Sequence, residues 1–114
     1  MRSLPKFSYS KDDLLNCESR SRYGPASPLS RFHEALDTNE SFAFVGKPCD
    51  IAAIRQLAKL DKRVDKQCKY LLTLVCGGST EFTKSQDFIK GFDVKEEDLS
   101  EFRYRGYGNP GKMY

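Results

Sequence analysis

Residues 45–55 read Val-Gly-Lys-Pro-Cys-Asp-Ile-Ala-Ala-Ile-Arg, and this stretch decides the fold. The apolar run Phe42–Val45 predicts a short strand, and Gly46 and Pro48 predict a turn after it. An amphipathic helix is expected to begin at Cys49 or Asp50. Apolar residues then recur with a period of about 3.6 residues at Ile51, Ile54, Leu57 and Ala58. Unpaired backbone N–H groups at the start of such a helix stabilise anions and thiolates.

A second apolar run, Tyr70–Cys76, is too short for a core helix and is typical of a strand buried on both faces of a sheet. With the helix between them, the two runs predict a parallel, right-handed strand–helix–strand unit. The predicted fold class is therefore α/β, with flanking helices around this unit. Cys49 and Cys76 would then emerge at the same sheet edge, where α/β proteins bind ligands.

Local capping signals predict the flanking elements. We expect a helix over Lys11–Cys17 capped by Ser10 and a helix over Arg31–Leu36 capped by Ser30. A further helix capped by Ser79 or Thr80 is expected to run through about Lys90 and to stop at Gly91. A helical turn is expected over 94–98, and a strand with one buried face over 99–105. His33 is interpreted as a surface or packing residue.

Composition limits the function classes. The chain has 114 residues, of which 39% are hydrophobic and 31% charged, so we expect a thin core and interpret the chain as an internal fragment of a longer protein. The net charge of +3 is spread over interspersed signs, which indicates solvated faces and no nucleic-acid partner. No apolar run reaches the roughly 20 residues of a membrane helix, and no signal peptide is visible. We therefore expect a cytoplasmic protein without a membrane partner.

Four cysteines occupy positions 17, 49, 68 and 76. They could form two disulfides in an oxidising compartment, but reduced thiols are expected in the cytoplasm. Because no C-x-x-C spacing occurs, a metal site must gather its ligands from separate loops. Cys49 with Cys76, and Cys17 as a third ligand, would suit an iron–sulfur cluster, whereas Cys68 is the weakest candidate. The alternative is that these cysteines are small buried apolar residues.

Two segments, 19–28 and 103–111, share arginine, tyrosine and glycine. Tyrosine can stack on a planar ring, arginine can bind phosphate, and glycine lets the backbone approach a pyrophosphate. A flavin nucleotide fits this composition, and so does single-stranded RNA. The alternative is a pair of Gly/Pro turns with surface aromatic residues. Motifs of serine hydrolases, zinc proteases, P-loop NTPases and simple Rossmann domains are absent.

Three motifs in order resemble one family, the coenzyme F420 hydrogenase/dehydrogenase beta subunits. The stretch 45–55 resembles the G-T-P-C-Q-I-x-A-L-R signature of the family, and Leu74-Val-Cys-Gly77 resembles its apolar strand that ends in cysteine. Tyr104-Arg-Gly-Tyr-Gly-Asn-Pro-Gly111 resembles Y-R-G-x-G-W-P-G, and Ser21-Arg-Tyr-Gly24 resembles an upstream serine, basic, tyrosine motif. Lys47, Asp50 and Asn109 depart from these motifs, and the stretch Gly46-Lys-Pro-Cys-Asp50 is more similar to bacterial members of the family.

The resemblance implies an iron–sulfur flavoprotein oxidoreductase. Such a protein passes electrons between a 4Fe-4S cluster, FAD and a deazaflavin (coenzyme F420) or other acceptor, with a redox partner protein or ferredoxin. Cys49 and Cys76 would be cluster ligands, with Cys17 as the third candidate. The residues expected near flavin or substrate are Ser21, Arg22, Tyr23, Gly24, Arg103, Arg105 and Gly106.

The resemblance also implies a domain division and a fragment. Residues 1–40 would be part of the N-terminal region of the family, and residues 41–114 part of the C-terminal beta-subunit domain. Both would belong to a larger iron–sulfur flavoprotein domain. The alternative hypothesis is a small non-catalytic binding module for RNA that uses the Tyr/Arg/Gly segments.

Overall fold

The computed structural model describes residues 3–16, 24–75 and 78–100 of the chain. The chain forms two compact units, Ser27–Gly77 and a second unit composed of Met1–Ala26 with Gly78–Tyr114. The described helices are α1 (Lys11–Asn16), α2 (Phe32–Asp37), α3 (Pro48–Leu60), α4 (Arg63–Gln67) and α5 (Phe82–Lys90). The described strands are β1 (Phe42–Gly46) and β2 (Cys68–Thr73), and short 3-10 helices cover Pro28–Arg31 and Glu96–Asp98.

The two strands form a parallel pair, which confirms the predicted α/β unit. Phe42 pairs with Cys68 at one end and Gly46 pairs with Thr73 at the other, with an irregularity after Phe42. The connection between them contains α3 and α4. A parallel pair needs such a crossover, because a tight turn can join only antiparallel strands.

The predicted bounds of β2 were wrong at both ends. The strand begins at Cys68 instead of Tyr70, and it ends at Thr73 instead of Cys76. The length of β1 explains the earlier end, because Gly46 is its last residue and Thr73 lies opposite it. Beyond Gly46 the chain turns into α3 at Pro48 and offers no further strand backbone for pairing.

The core of the Ser27–Gly77 unit lies on one face of the sheet. It consists of five buried side chains from α2, β1, α3 and α4: Phe32, Leu36, Phe44, Ile54 and Val64. Phe32 contacts both Phe42 and Phe44 edge to face, with ring centroids 5.6 and 5.7 Å apart. Such edge-to-face pairs add to the stability that apolar burial provides.

The other face of the sheet is open, so the prediction of a strand buried on both faces was wrong. Val45 on β1 and Tyr70 and Leu72 on β2 are all exposed. The core cluster places α2, α3 and α4 against the Phe44 face. Within the described part of the chain, these apolar side chains on the opposite face keep most of their surface exposed.

Two helix starts in this unit differ from the prediction. α3 begins at Pro48, because proline has no N–H to lose and its fixed φ suits the first helical position. Ser30 does not cap α2; its hydroxyl donates to the Ser27 carbonyl inside the 3-10 helix. Arg31 precedes α2 without a side-chain cap. His33 is exposed on α2, as expected.

In the second unit, α1 follows the prediction closely. The Ser10 hydroxyl accepts a hydrogen bond from the Asp13 N–H at 3.1 Å, and the Asp13 carboxylate accepts one from the Tyr9 N–H at 3.3 Å. Both bonds satisfy backbone donors beside the helix start. Cys17, the predicted last residue of this helix, lies outside the described residues.

The predicted cap of α5 was wrong, but its end was correct. Glu81 precedes the helix and provides no side-chain cap, whereas Gly91 follows Lys90 as predicted. Gly91 has a right-handed φ of −62°, so its role there does not depend on left-handed backbone. The 3-10 helix Glu96–Asp98 confirms the expected helical turn. Most of the predicted strand over 99–105 lies outside the described residues.

Candidate functional site

The candidate site is the edge of the sheet at which both strands end. β1 ends at Gly46 opposite Thr73, the last residue of β2. The Leu74 N–H then donates a hydrogen bond to the Gly46 carbonyl, with 3.3 Å between nitrogen and oxygen. The backbone that leads toward position 76 therefore leaves the sheet beside the turn that leads to Cys49.

Cys49 is the second residue of α3, and it is exposed and not part of a disulfide. Backbone N–H groups at a helix start lack partners within the helix and carry a partial positive charge. The exposed Cys49 thiol at this position is accessible to a metal ion. Cys49 lies where the sequence predicted it, just after the carboxyl end of β1.

Lys47 and Asp50 stabilise the turn that carries Cys49. The Asp50 carboxylate accepts a hydrogen bond from the Lys47 N–H at 2.9 Å, and Lys47 Nζ lies 3.3 Å from the same oxygen. The carboxylate thus satisfies a backbone donor that the start of α3 would leave unpaired. One positive and one negative side chain flank Cys49, so neither sign of charge dominates this turn.

Gly46 is required by the packing at this turn. A Cβ atom on Gly46 would lie 2.5 Å from Cε1 of Phe44 and 3.2 Å from Cβ of Asp50. Both approaches are too close for an ordinary side-chain contact. The missing side chain therefore lets the Phe44 ring and the first turn of α3 pack together.

Of the proposed metal ligands, the structure describes Cys49, whereas Cys17 and Cys76 lie outside the described residues. Among the residues that are described, no group of three or more His, Cys, Asp or Glu side chains could hold a metal ion. Cys49 by itself fits a cluster ligand, since it is a free, exposed thiol at the open edge of a parallel sheet.

Cys68 lies at the opposite edge of the sheet. It pairs with Phe42, the first residue of β1, so about 13 Å of strand separates it from the Gly46 end. Burial raises the pKa of the Cys68 thiol, while the Arg55 charge and a hydrogen bond from the Phe44 backbone act in the opposite direction. Its position makes Cys68 unsuitable as a ligand of a cluster held by Cys49.

Most of the predicted flavin-site residues lie outside the described residues: Ser21, Arg22, Tyr23, Arg103, Arg105 and Gly106. Gly24 is described and half-buried, two positions before Ala26, which forms an isolated parallel bridge with Ser3. The flavin site and the alternative RNA-binding role both depend on these segments. Both stay hypotheses.

One buried polar residue had no signal in the sequence. Gln67, the last residue of α4, is only 4% exposed, and its Oε1 has no hydrogen-bond partner among the described residues. It lies in the charged run 61–69, where polar side chains are usually solvated. Its burial results from the direct passage of α4 into β2, which draws the end of the helix against the sheet.

No helix in the described part of the chain has the length and apolar character needed to cross a membrane.

The sequence was compared with known protein families, which tests its resemblance to the F420 hydrogenase/dehydrogenase beta subunits. Residues 39–114 match the family described as the C terminus of the coenzyme F420 hydrogenase/dehydrogenase beta subunit. The chain belongs to this beta-subunit family. The match confirms the resemblance that the sequence motifs indicated, and its range includes β1, α3, α4 and β2. No curated protein and no solved structure matches the chain. Membership of the beta-subunit family relates the chain to oxidoreductases of the F420 hydrogenase and dehydrogenase type.

Proposed function

We propose that the chain is part of an iron–sulfur flavoprotein oxidoreductase, in which a 4Fe-4S cluster exchanges electrons with FAD. The observation that supports this proposal best is the position of Cys49. Its free, exposed thiol follows β1 directly, at the edge where β2 also ends, inside the region that matches the beta-subunit family. Cysteine thiolates are the usual ligands of iron–sulfur clusters.

Cys49, Cys76 and Cys17 are the proposed ligands. When bound, the cluster supplies one-electron transfer between donor and acceptor. In this proposal the chain contributes the thiolates. Cys68 is excluded from this set, because it lies at the other end of β2. A reducing cytoplasm would keep these thiols available for iron.

The flavin is proposed to lie near Ser21–Gly24 and near Arg103, Arg105 and Gly106. Serine and backbone N–H groups can bind phosphate, tyrosine can stack on the flavin ring, and arginine can pair with the pyrophosphate. The electron donor in this proposal is a redox partner protein or ferredoxin. The acceptor is a deazaflavin or another small molecule.

Anaerobic reconstitution with iron and sulfide tests the cluster. We expect sulfur-to-iron charge-transfer absorption in the visible range from the parent chain, together with an electron paramagnetic resonance signal after reduction. Cys49→Ser and Cys76→Ser should abolish both signals, and Cys17→Ser should weaken them. Cys68→Ser is the matched control, because this thiol lies at the opposite sheet edge and its variant should bind iron like the parent.

The outcomes separate the proposal from non-specific iron binding by thiols. Absence of bound iron and sulfide in the parent chain would contradict the cluster. Equal loss of absorption in Cys68→Ser and Cys49→Ser would also contradict it, since a site at one sheet edge cannot depend on both residues equally. Retention of a full signal in Cys49→Ser would remove Cys49 from the ligand set.

A further inference from the structure

A pair of opposite charges flanks Cys49 at the start of α3. Lys47 precedes the helix as its N-cap residue, and Asp50 is the third residue of the helix. Lys47 Nζ lies 3.3 Å from the Asp50 carboxylate, and the same carboxylate oxygen accepts a hydrogen bond from the Lys47 N–H at 2.9 Å. The Asp50 side chain is only 12% exposed, so water and salt screen its charge less than they screen a fully solvated carboxylate.

The Asp50 side chain is held by packing as well as by hydrogen bonding. Its Cβ atom lies 3.2 Å from the position that a Cβ atom on Gly46 would occupy, so Asp50 packs closely against the last residue of β1. The Lys47 carbonyl then accepts the first hydrogen bond of the helix, from the Ile51 N–H at 3.1 Å. Because Cys49 directly precedes Asp50, a shift of the Cys49 backbone would displace the carboxylate from the Lys47 N–H.

We propose that Asp50 is a positioning residue for Cys49 and that Lys47 balances the charge of Asp50 beside the iron–sulfur cluster. This inference rests on the proposed ligation of the cluster by Cys49. Hydrogen bonds around a metal ligand fix the orientation of that ligand. The net charge near an iron–sulfur cluster contributes to its reduction potential. An isolated Asp50 carboxylate would disfavour the added electron, whereas the Lys47–Asp50 pair has no net charge.

A neutral pair of residues could cap the same helix start. In a capping box, Ser or Thr at the N-cap accepts a hydrogen bond from the third helical N–H, and Glu or Gln at that third position accepts one from the N-cap N–H. The Lys47 ammonium has donors only, so the bond to the Asp50 carboxylate is the half of the box that lysine permits. Lys47→Thr/Asp50→Gln would form a complete box and leave the net charge unchanged, which makes it the conservative variant for this proposal.

Amide hydrogen exchange of the metal-free chain tests the positioning role. Relative to the amides of β1, the Lys47 N–H should exchange about tenfold faster in Asp50→Ala than in the parent, because its charged acceptor is lost. The Ile51 N–H should also exchange faster. Lys47→Thr/Asp50→Gln should keep the parent's exchange rates at both positions. Asp65→Ala is the matched control, since it removes an acidic residue from the first turn of α4 and should leave the start of α3 unchanged.

Reduction potentials of the reconstituted chain test the charge role. Asp50→Asn keeps an acceptor for the Lys47 N–H and removes a negative charge, so the cluster should form with a higher potential. Lys47→Gln removes a positive charge, so the potential should fall. Lys47→Thr/Asp50→Gln should keep the parent's potential, because the net charge is the same. A merely structural role of the two residues would not produce shifts of opposite sign.

The outcomes separate this inference from the proposed function. Shifts of the same sign in Asp50→Asn and Lys47→Gln, or a shift in Lys47→Thr/Asp50→Gln as large as in either single variant, overturn the charge balance. Exchange at the parent's rate in Asp50→Ala overturns the positioning role. A parent chain that takes up no cluster contradicts the proposed function and this inference together, whereas normal cluster uptake with either of the other results contradicts this inference alone.

Discussion

The Phe44 ring lies over the space that a side chain on Gly46 would occupy, with Cε1 of the ring 2.5 Å from the position of a Cβ atom. Phe44 is buried in the core, and Gly46 is the last residue of β1 before the turn to Cys49. The two residues share one face of the strand, since they are two positions apart. The core and the candidate site thus depend on the same contact.

We expect Gly46→Ala to lower the free energy of unfolding by about 1–3 kcal/mol, because the ring or the first turn of α3 must move. Urea unfolding followed by circular dichroism measures this change. The double variant Gly46→Ala/Phe44→Leu is the control: a smaller side chain relieves the clash, so Phe44→Leu should cost less in the Gly46→Ala background than in the parent. Strict additivity of the two substitutions would contradict a direct steric contact.

The parallel unit was predictable because its signals are local. The 3.6-residue period of Ile51, Ile54 and Leu57 identifies α3, and two short apolar runs on either side identify the strands. Once these elements are parallel, topology alone places Cys49 at the carboxyl edge. The site prediction for Cys49 therefore needed no knowledge of side-chain packing.

The errors concern features that one segment cannot determine by itself. The end of β2 depends on where β1 ends, so the apolar run through Cys76 overestimated the length of the strand. The same run could not reveal that only one sheet face has helices against it, because exposed Leu72 and half-buried Leu71 differ little in local sequence. Likewise, the burial of Gln67 follows from the position of α4 and not from its polar neighbours.

We expect Gln67→Leu to raise the free energy of unfolding by about 1–2 kcal/mol. Gln67 is buried, and its Oε1 has no hydrogen-bond partner within the part of the chain that the structure describes. Such a group keeps the cost of desolvation without a compensating bond. Leucine has a similar volume and no polar atoms. Thermal and urea unfolding of the variant and the parent measure the change.

Gln56→Leu is the matched control for this substitution. Gln56 is exposed on α3 and accepts a hydrogen bond from Lys59 at 2.8 Å, so its replacement should change the free energy of unfolding by less than about 0.5 kcal/mol. A clear loss of stability in Gln67→Leu would mean that the buried amide has a partner, such as a bound water. That result would contradict the interpretation of Gln67 as unsatisfied.

We expect the Arg63 side chain to lower the pKa of the Asp61 carboxyl. The Arg63 side chain bonds to Asp61 Oδ2 at 2.8 Å and also to Asp37 at 2.8 Å, which connects α4 to α2. Hydrogen bonds from the Arg63 side chain, then from its backbone, hold the pKa of the Asp61 carboxyl below its usual value, with smaller contributions from the charges of Arg63 and His33. A lowered pKa in the folded state stabilises the fold above the unfolded pKa, and that stability is lost as pH falls through the folded value.

We expect Arg63→Gln to raise the pKa of Asp61 toward the unfolded value, measured by following its carboxyl ¹³C shift between pH 2 and 6 in a titration. The shift should be partial, because the Arg63 N–H still donates to Asp61. Glu34 is the internal control: Arg31 lowers its pKa through a separate hydrogen bond, so its titration should not change. Since both carboxylates are exposed, added salt should weaken the charge contribution of each pair. An unchanged Asp61 pKa in Arg63→Gln would show that the side-chain contact does not persist in solution.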